Sequence, residues 1–239
     1  MELLQLTAAV YKRNFGLYFG YAAWILIPQA ALVFLSATAP DDLLVAQVAI
    51  SVLVTVLAIW VGIVMTKITA GILMRKKLDL DLISRASLPL VVSVFWVALL
   101  TGVVQIIGFL LLIVPGVLFS IWYAFAEMEV ILEDKRGIAA MASSREITRG
   151  KFWAIFVRLL VGTLVLLGVY LAVSSGLTAL LELLTTGAVT FMDAAPSVAA
   201  LTIQSIIDTF FMAPFIIFTT MLYLDVKAEH TGTKKPKKV

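Results

Sequence analysis

The chain has no cysteine and a single histidine, His230. Disulfides, thiolate nucleophiles and Cys-based metal sites are therefore excluded, and one His in a polar tail cannot anchor a metal cluster. No P-loop, nucleophile elbow or H-E-x-x-H pattern occurs. Charge is scarce as well: Asp, Glu, Lys and Arg make up 14% of 239 residues, roughly half the level usual in soluble domains. Positive charge is missing from long stretches altogether. The 18 Lys and Arg fall in four clusters, Lys12–Arg13, Lys67–Arg85, Lys135–Arg158 and Lys227–Lys238.

What fills the gaps is apolar. Hydrophobic residues reach 62% and the mean hydropathy is +1.07, with the apolar residues in runs rather than stripes. A pI near 9.1 raises the question of nucleic acid, but the basic residues belong to loops and a tail. No basic module interleaved with aromatics is present, so nucleic acid is not an expected partner.

A spanning helix needs about 20 mostly apolar residues, and candidate spans cover 16–37, 44–66, 88–113, 117–132, 154–181 and 198–224. Cytoplasmic loops accumulate Lys and Arg, so all four cationic clusters belong on one side and each intervening stretch must cross an even number of times. Turns are expected at Ala39-Pro40-Asp41-Asp42, at Pro115-Gly116 and within Thr185–Pro196. The opposite side then carries only Asp41, Asp42, Glu182 and Asp193. A re-entrant loop over 105–125 would preserve the same parity. The run Gly16–Leu35 is longer than the 7–15-residue core of a secretory signal. Pro40 after Ala37-Thr38-Ala39 also makes a poor cleavage junction, so the run reads as a retained first span.

The fold expected is an all-α polytopic membrane protein. About six transmembrane helices form three hairpins, with short interfacial amphipathic helices and both termini in the cytoplasm. Residues 1–226 form a single integral membrane domain, and 227–239 a basic, disordered cytoplasmic tail.

A cationic lead-in precedes each hairpin. In Met1–Asn14, Leu3, Leu6, Val10 and Asn14 share one helical side. Arg75–Ser87 alternates charged and apolar residues without a clear helical face. In Gly137–Arg149, Asp134 is expected to cap the start and Gly150 to end the helix. One side then carries Ile138, Met141, Ala142, Arg145 and Arg149, and the other Ala139, Ala140, Ser143 and Ile147. The small side can dock on the bundle while Arg145 and Arg149, with Lys151, meet lipid phosphates next to the interface aromatics Phe152 and Trp153.

Three carboxylates are candidates for chemistry. Asp208 lies about ten residues into the last span, with Gln204 one turn before it and Pro214 after it. An intramembrane carboxylate costs about 2.5–3.5 kcal/mol on insertion scales and marks a candidate functional site. The alternative is packing, through a hydrogen bond to Gln105, Ser174 or Ser175. Glu127 and Glu129, at i and i+2, do not share a helical face. One of them is expected to pair at the interface with Arg145, Arg149 or Arg158. No metal site or cofactor is expected.

The stretch Gln105–Trp153 carries a pattern: an apolar run, Pro115-Gly116, a further helix, and then Glu133, Gly137, Ala140, Ser144, Arg145, Thr148, Arg149, Gly150 and Phe152. With Leu222-Tyr223-Leu224-Asp225 near the end, it resembles the YciC-type inner-membrane proteins. It is equally similar to the membrane domain found ahead of some bacterial glycerophosphodiester phosphodiesterases. The resemblance implies a six-helix domain in the bacterial inner membrane and supplies no activity of its own. With the residues that follow Val226, the phosphodiesterase barrel is not expected here. Lys227 stands where an Arg is more usual, and Glu127 is unusually polar for its helix.

The reading is a protein without catalysis that engages anionic lipid headgroups, or a membrane-protein partner or homo-oligomer contact, through the Arg-bearing helix. The rival is a small transporter or lipid-translocating subunit working through Asp208, Gln204 and helices interrupted at Pro28 and Pro214.

Overall fold

In a bilayer every backbone N–H and C=O must be satisfied within the protein, so apolar runs rich in Val and Ile still become helices despite their modest helix propensity. The computed structural model describes residues 2–38, 43–186 and 198–232. Asp41, Asp42, Asp193 and the tail residues Lys234 to Lys238 lie outside them. Among the described residues there are ten helices and no strand.

Helices α1 (Glu2–Arg13), α4 (Leu80–Ser87) and α8 (Gly137–Thr148) are the three cationic lead-ins. The spans are α2 (Phe15–Thr38), α3 (Leu44–Leu73), α5 (Leu90–Leu111), the pair α6 (Ile113–Trp122) and α7 (Ala126–Glu133), α9 (Phe152–Thr186) and α10 (Val198–Thr231). Six segments are long and apolar enough to cross a membrane, and the fourth runs over Ile113–Glu133. The protein is an all-α polytopic membrane protein.

The buried core gathers toward the end of the bundle that carries the cationic segments. It joins Val10 of α1, Tyr18 and Ile25 of α2, Val61–Leu73 of α3 and Ala213–Val226 of α10. Ion pairs tie the later cationic clusters to one another there, as between Lys151 and Glu229. The α1 helix lies against α10, where the Tyr11 hydroxyl donates to the Phe210 carbonyl. Close approach of α9 and α10 depends on Gly162, where any Cβ would collide with the Phe218 ring. Small residues serve this purpose at membrane helix interfaces.

Several local expectations change. The second hairpin turns at Leu112, whose backbone is extended (φ −168°), not at Pro115-Gly116. Pro115 instead occupies the first turn of α6, where its missing N–H has no intrahelical partner to lose. Gly116 packs on the Phe109 ring and on Gly108, where a Cβ would come within 3.0 Å of the Gly116 Cα. The second lead-in does form a helix: the Asp79 carboxylate caps α4 by accepting from Leu82 N at 3.1 Å. Its Ser84 docks on Tyr21 (2.7 Å) and on the Trp60 indole N–H (3.1 Å). Pro28 and Pro214 sit inside continuous helices, so neither breaks its span. Helix α10 continues to Thr231, which makes Lys227 part of the folded bundle rather than of a tail.

Candidate functional site

The interruption that the prolines do not make occurs in the fourth span, at Tyr123–Phe125 between α6 and α7. A break frees backbone groups that a bilayer cannot satisfy. Ser144 of α8 supplies them: its hydroxyl donates to the Trp122 carbonyl (2.8 Å) and accepts from Phe125 N–H (3.2 Å). Ala140, Met141, Ser143, Ser144, Ile147 and Thr148 are the buried face of α8. Ala140, Ser143 and Ile147 of the expected small side are among them, while Ala139 is exposed and Met141 is buried. Asp134 does not cap α8: it ends α7 in the left-handed region (φ 54°), and Arg136 precedes α8 with no side-chain cap. Gly150 ends the helix as expected, at φ +79°, a conformation that glycine adopts without strain.

With that face fixed, Arg145 and Arg149 are left exposed on the other side. The Arg145 guanidinium lies over the Trp122 ring, 4.2 Å from its centroid, so the aromatic at the break sets its direction. Both arginines border an open groove of about 880 Å³ between α5, α6 and α8. Leu100, Val104, Ile138 and Met141 form its apolar wall, and Glu146 shares its rim. Small-molecule sites typically occupy about 300–1,000 Å³, with apolar walls and a few convergent polar groups. Among the described residues the side chains of Arg145, Glu146 and Arg149 form no ion pair.

Lys151 is not part of this groove. Its ammonium is buried without a hydrogen bond, 3.7 Å from Glu229 of α10. Arg158 reaches the same carboxylate at 3.8 Å.

The acidic pair separates into two environments. Glu129 is fully buried and accepts from the Ser143 hydroxyl (2.7 Å) and the Tyr223 hydroxyl (2.8 Å). It pairs with Lys135 at 2.9 Å and Lys227 at 3.4 Å, and Lys227 also holds Glu133 at 2.6 Å. The expected pairing with Arg145, Arg149 or Arg158 is not made. Ser143 turns inward from α8 toward Glu129, whereas the two arginines leave the opposite side of that helix, and Arg158 is engaged with Glu229. Glu127 is exposed and has no polar partner among the described residues.

Asp208 is exposed on the bundle surface and accepts from the Tyr170 hydroxyl (2.7 Å) and Gln204 Nε2 (2.8 Å). Ser174 donates to Gln204 Oε1 at 2.7 Å. The cluster links α9 to α10 with every donor spent internally. Of the expected partners, Ser174 enters it through Gln204, while Ser175 bonds its own Leu171 carbonyl. With Pro214 in an unbroken helix, the broken-helix geometry expected of a transport site is missing here.

Trp122, Lys135, Ser143, Tyr223 and Lys227 join the site without having been singled out for it. Ser144 stood in the recurring motif, and that was its only signal.

Comparison with known families covers the same elements. The profile of the membrane domain of glycerophosphoryl diester phosphodiesterase matches residues 73–239. No curated protein and no solved structure matches the chain. The matched region holds α4 through α10, including the broken span, the docked α8 and the carboxylate network, and it is well over half of the sequence. The chain belongs to the family of the membrane domain of glycerophosphoryl diester phosphodiesterase.

Proposed function

We propose that this multipass membrane protein binds phospholipid through the groove beneath α8. Arg145 and Arg149 hold the headgroup phosphate, and the apolar wall receives acyl chain. The role is binding rather than catalysis. The observation that carries this reading is a pair of exposed arginines, free of ion pairs, on the rim of an apolar groove. Arginine matches phosphate with two parallel hydrogen bonds, and Trp122 holds one of the two guanidiniums in place.

Native mass spectrometry of the purified protein tests this with Arg145→Glu/Arg149→Glu beside the native chain. Charge-assisted hydrogen bonds contribute about 1.5–3 kcal/mol each, so the double variant is expected to lose at least about two orders of magnitude in affinity for retained phospholipid. Equal, unselective lipid on both proteins would refute the reading.

The setting proposed is the bacterial inner membrane, with both termini in the cytoplasm. Support comes from the four cationic clusters, which the positive-inside rule places on that side. The cysteine-free chain allows a direct check. Arg136→Cys in spheroplasts should resist a membrane-impermeant maleimide until the cells are lysed, and labelling of intact spheroplasts would reverse the orientation.

A further inference from the structure

Two cations are not the whole rim of the groove. Glu146 lies on it as well, exposed and without an ion pair to either neighbouring arginine. Arg145 and Arg149 are four residues apart, about 6 Å along the helix axis, and so stand one above the other. Glu146 is three residues from Arg149 and adjacent to Arg145 in sequence. It therefore flanks the arginine line instead of interrupting it. A phosphate seated on the two guanidiniums brings whatever is esterified to it within reach of this carboxylate.

A carboxylate in that place is an acceptor that a bare phosphate cannot satisfy. The rim carries one net positive charge. A phosphodiester brings one negative charge and cancels it. A phosphate monoester carries about −1.5 to −2 at neutral pH, which leaves surplus negative charge facing Glu146. Like charges opposed across an interface suppress the wrong ligand.

Resting on the headgroup reading above, we propose that the groove selects phospholipids whose phosphate is a diester to a small head alcohol bearing a hydrogen-bond donor. Glu146 receives that donor, a hydroxyl or an ammonium, and it disfavours lipids that end in a phosphate monoester.

The test uses the full chain in nanodiscs, titrated with phosphatidylglycerol, phosphatidylethanolamine and phosphatidic acid of identical acyl composition. Binding is read by native mass spectrometry. The native chain should prefer one or both diesters over phosphatidic acid by about tenfold, the ratio that about 1.4 kcal/mol of discrimination produces. Preference for phosphatidylglycerol assigns the donor as hydroxyl, and preference for phosphatidylethanolamine assigns it as ammonium. Glu146→Gln should erase the preference by raising phosphatidic acid binding. Glu146 is exposed and its side chain makes no hydrogen bond or ion pair among the described residues, so unchanged thermal unfolding will show that this variant is folded. Phosphatidic acid bound as tightly as the diesters by the native chain would overturn the proposal, as would a ratio unmoved by Glu146→Gln. If Arg145→Glu/Arg149→Glu binds every lipid as the native chain does, the headgroup reading itself fails, and the two failures are separable.

Discussion

Glu129→Gln keeps the shape of a fully buried carboxylate and removes its charge. In the native protein that group accepts from two hydroxyls, Ser143 and Tyr223, and faces two ammonium groups, Lys135 and Lys227. Glutamine offers one acceptor oxygen, so one hydroxyl is left facing an amide N–H, and both ion pairs are broken. Removing one partner of a buried ion pair generally costs about 3–5 kcal/mol, because the other is left uncompensated. Here two features lower the cost. Lys227 keeps Glu133 at 2.6 Å, and Lys135, 42% exposed, can turn to water. The expected loss is therefore near the bottom of that range, about 3 kcal/mol. Equilibrium unfolding from mixed micelles with increasing SDS measures it. The same titration on Lys227→Met and on the double variant gives the coupling between the two residues, expected to be about 1–3 kcal/mol for groups in one network. A loss below about 0.5 kcal/mol, the size of an ordinary surface substitution, or strictly additive single variants, would refute the claim that Glu129 ties α7 to α8 and α10.

Ser144→Ala removes the side chain that bridges the break in the fourth span, leaving the Trp122 carbonyl and the Phe125 N–H without that partner. The expected cost is about 1–3 kcal/mol, with faster hydrogen exchange at the Phe125 amide. Unchanged exchange there would mean the backbone finds another partner. Asp208→Asn retains an acceptor for Tyr170 and Gln204. Side-chain hydrogen bonds between membrane helices average about 0.6 kcal/mol, so SDS unfolding should shift by less than about 1 kcal/mol. A loss above about 2 kcal/mol, well beyond such bonds, would show that the charge itself holds the hairpin together.

Hydropathy and the placement of Lys and Arg were enough to read the class, the six spans and the positions of the lead-in helices. The reason is that partition into a bilayer is a property of each segment alone: about 20 apolar residues favour crossing wherever they occur, and unsatisfied backbone forbids any form but the helix. Gly150 was legible on similar grounds, since the left-handed conformation after a helix is a local demand. The Ala140, Ser143 and Ile147 face of α8 was legible too, from helical periodicity.

Other local signals pointed to the wrong place because a neighbouring helix decided the outcome. Pro28 and Pro214 look like breaks, yet their spans stay continuous, since packed neighbours and local adjustment accommodate proline in membrane helices. The break that exists, at Tyr123–Phe125, has no proline and survives because Ser144 of another helix satisfies it. Asp134 has the composition of a cap for α8 but terminates α7. The partners of Glu129 were beyond reach from the sequence: Lys227 is 98 residues away, and the arginines nearest to α7 in sequence point elsewhere. Sequence determined which segments enter the membrane, a one-body question of transfer. Tertiary structure alone decided which polar groups meet, because that depends on how each helix is rotated against its neighbours, and the choice between them is made by packing.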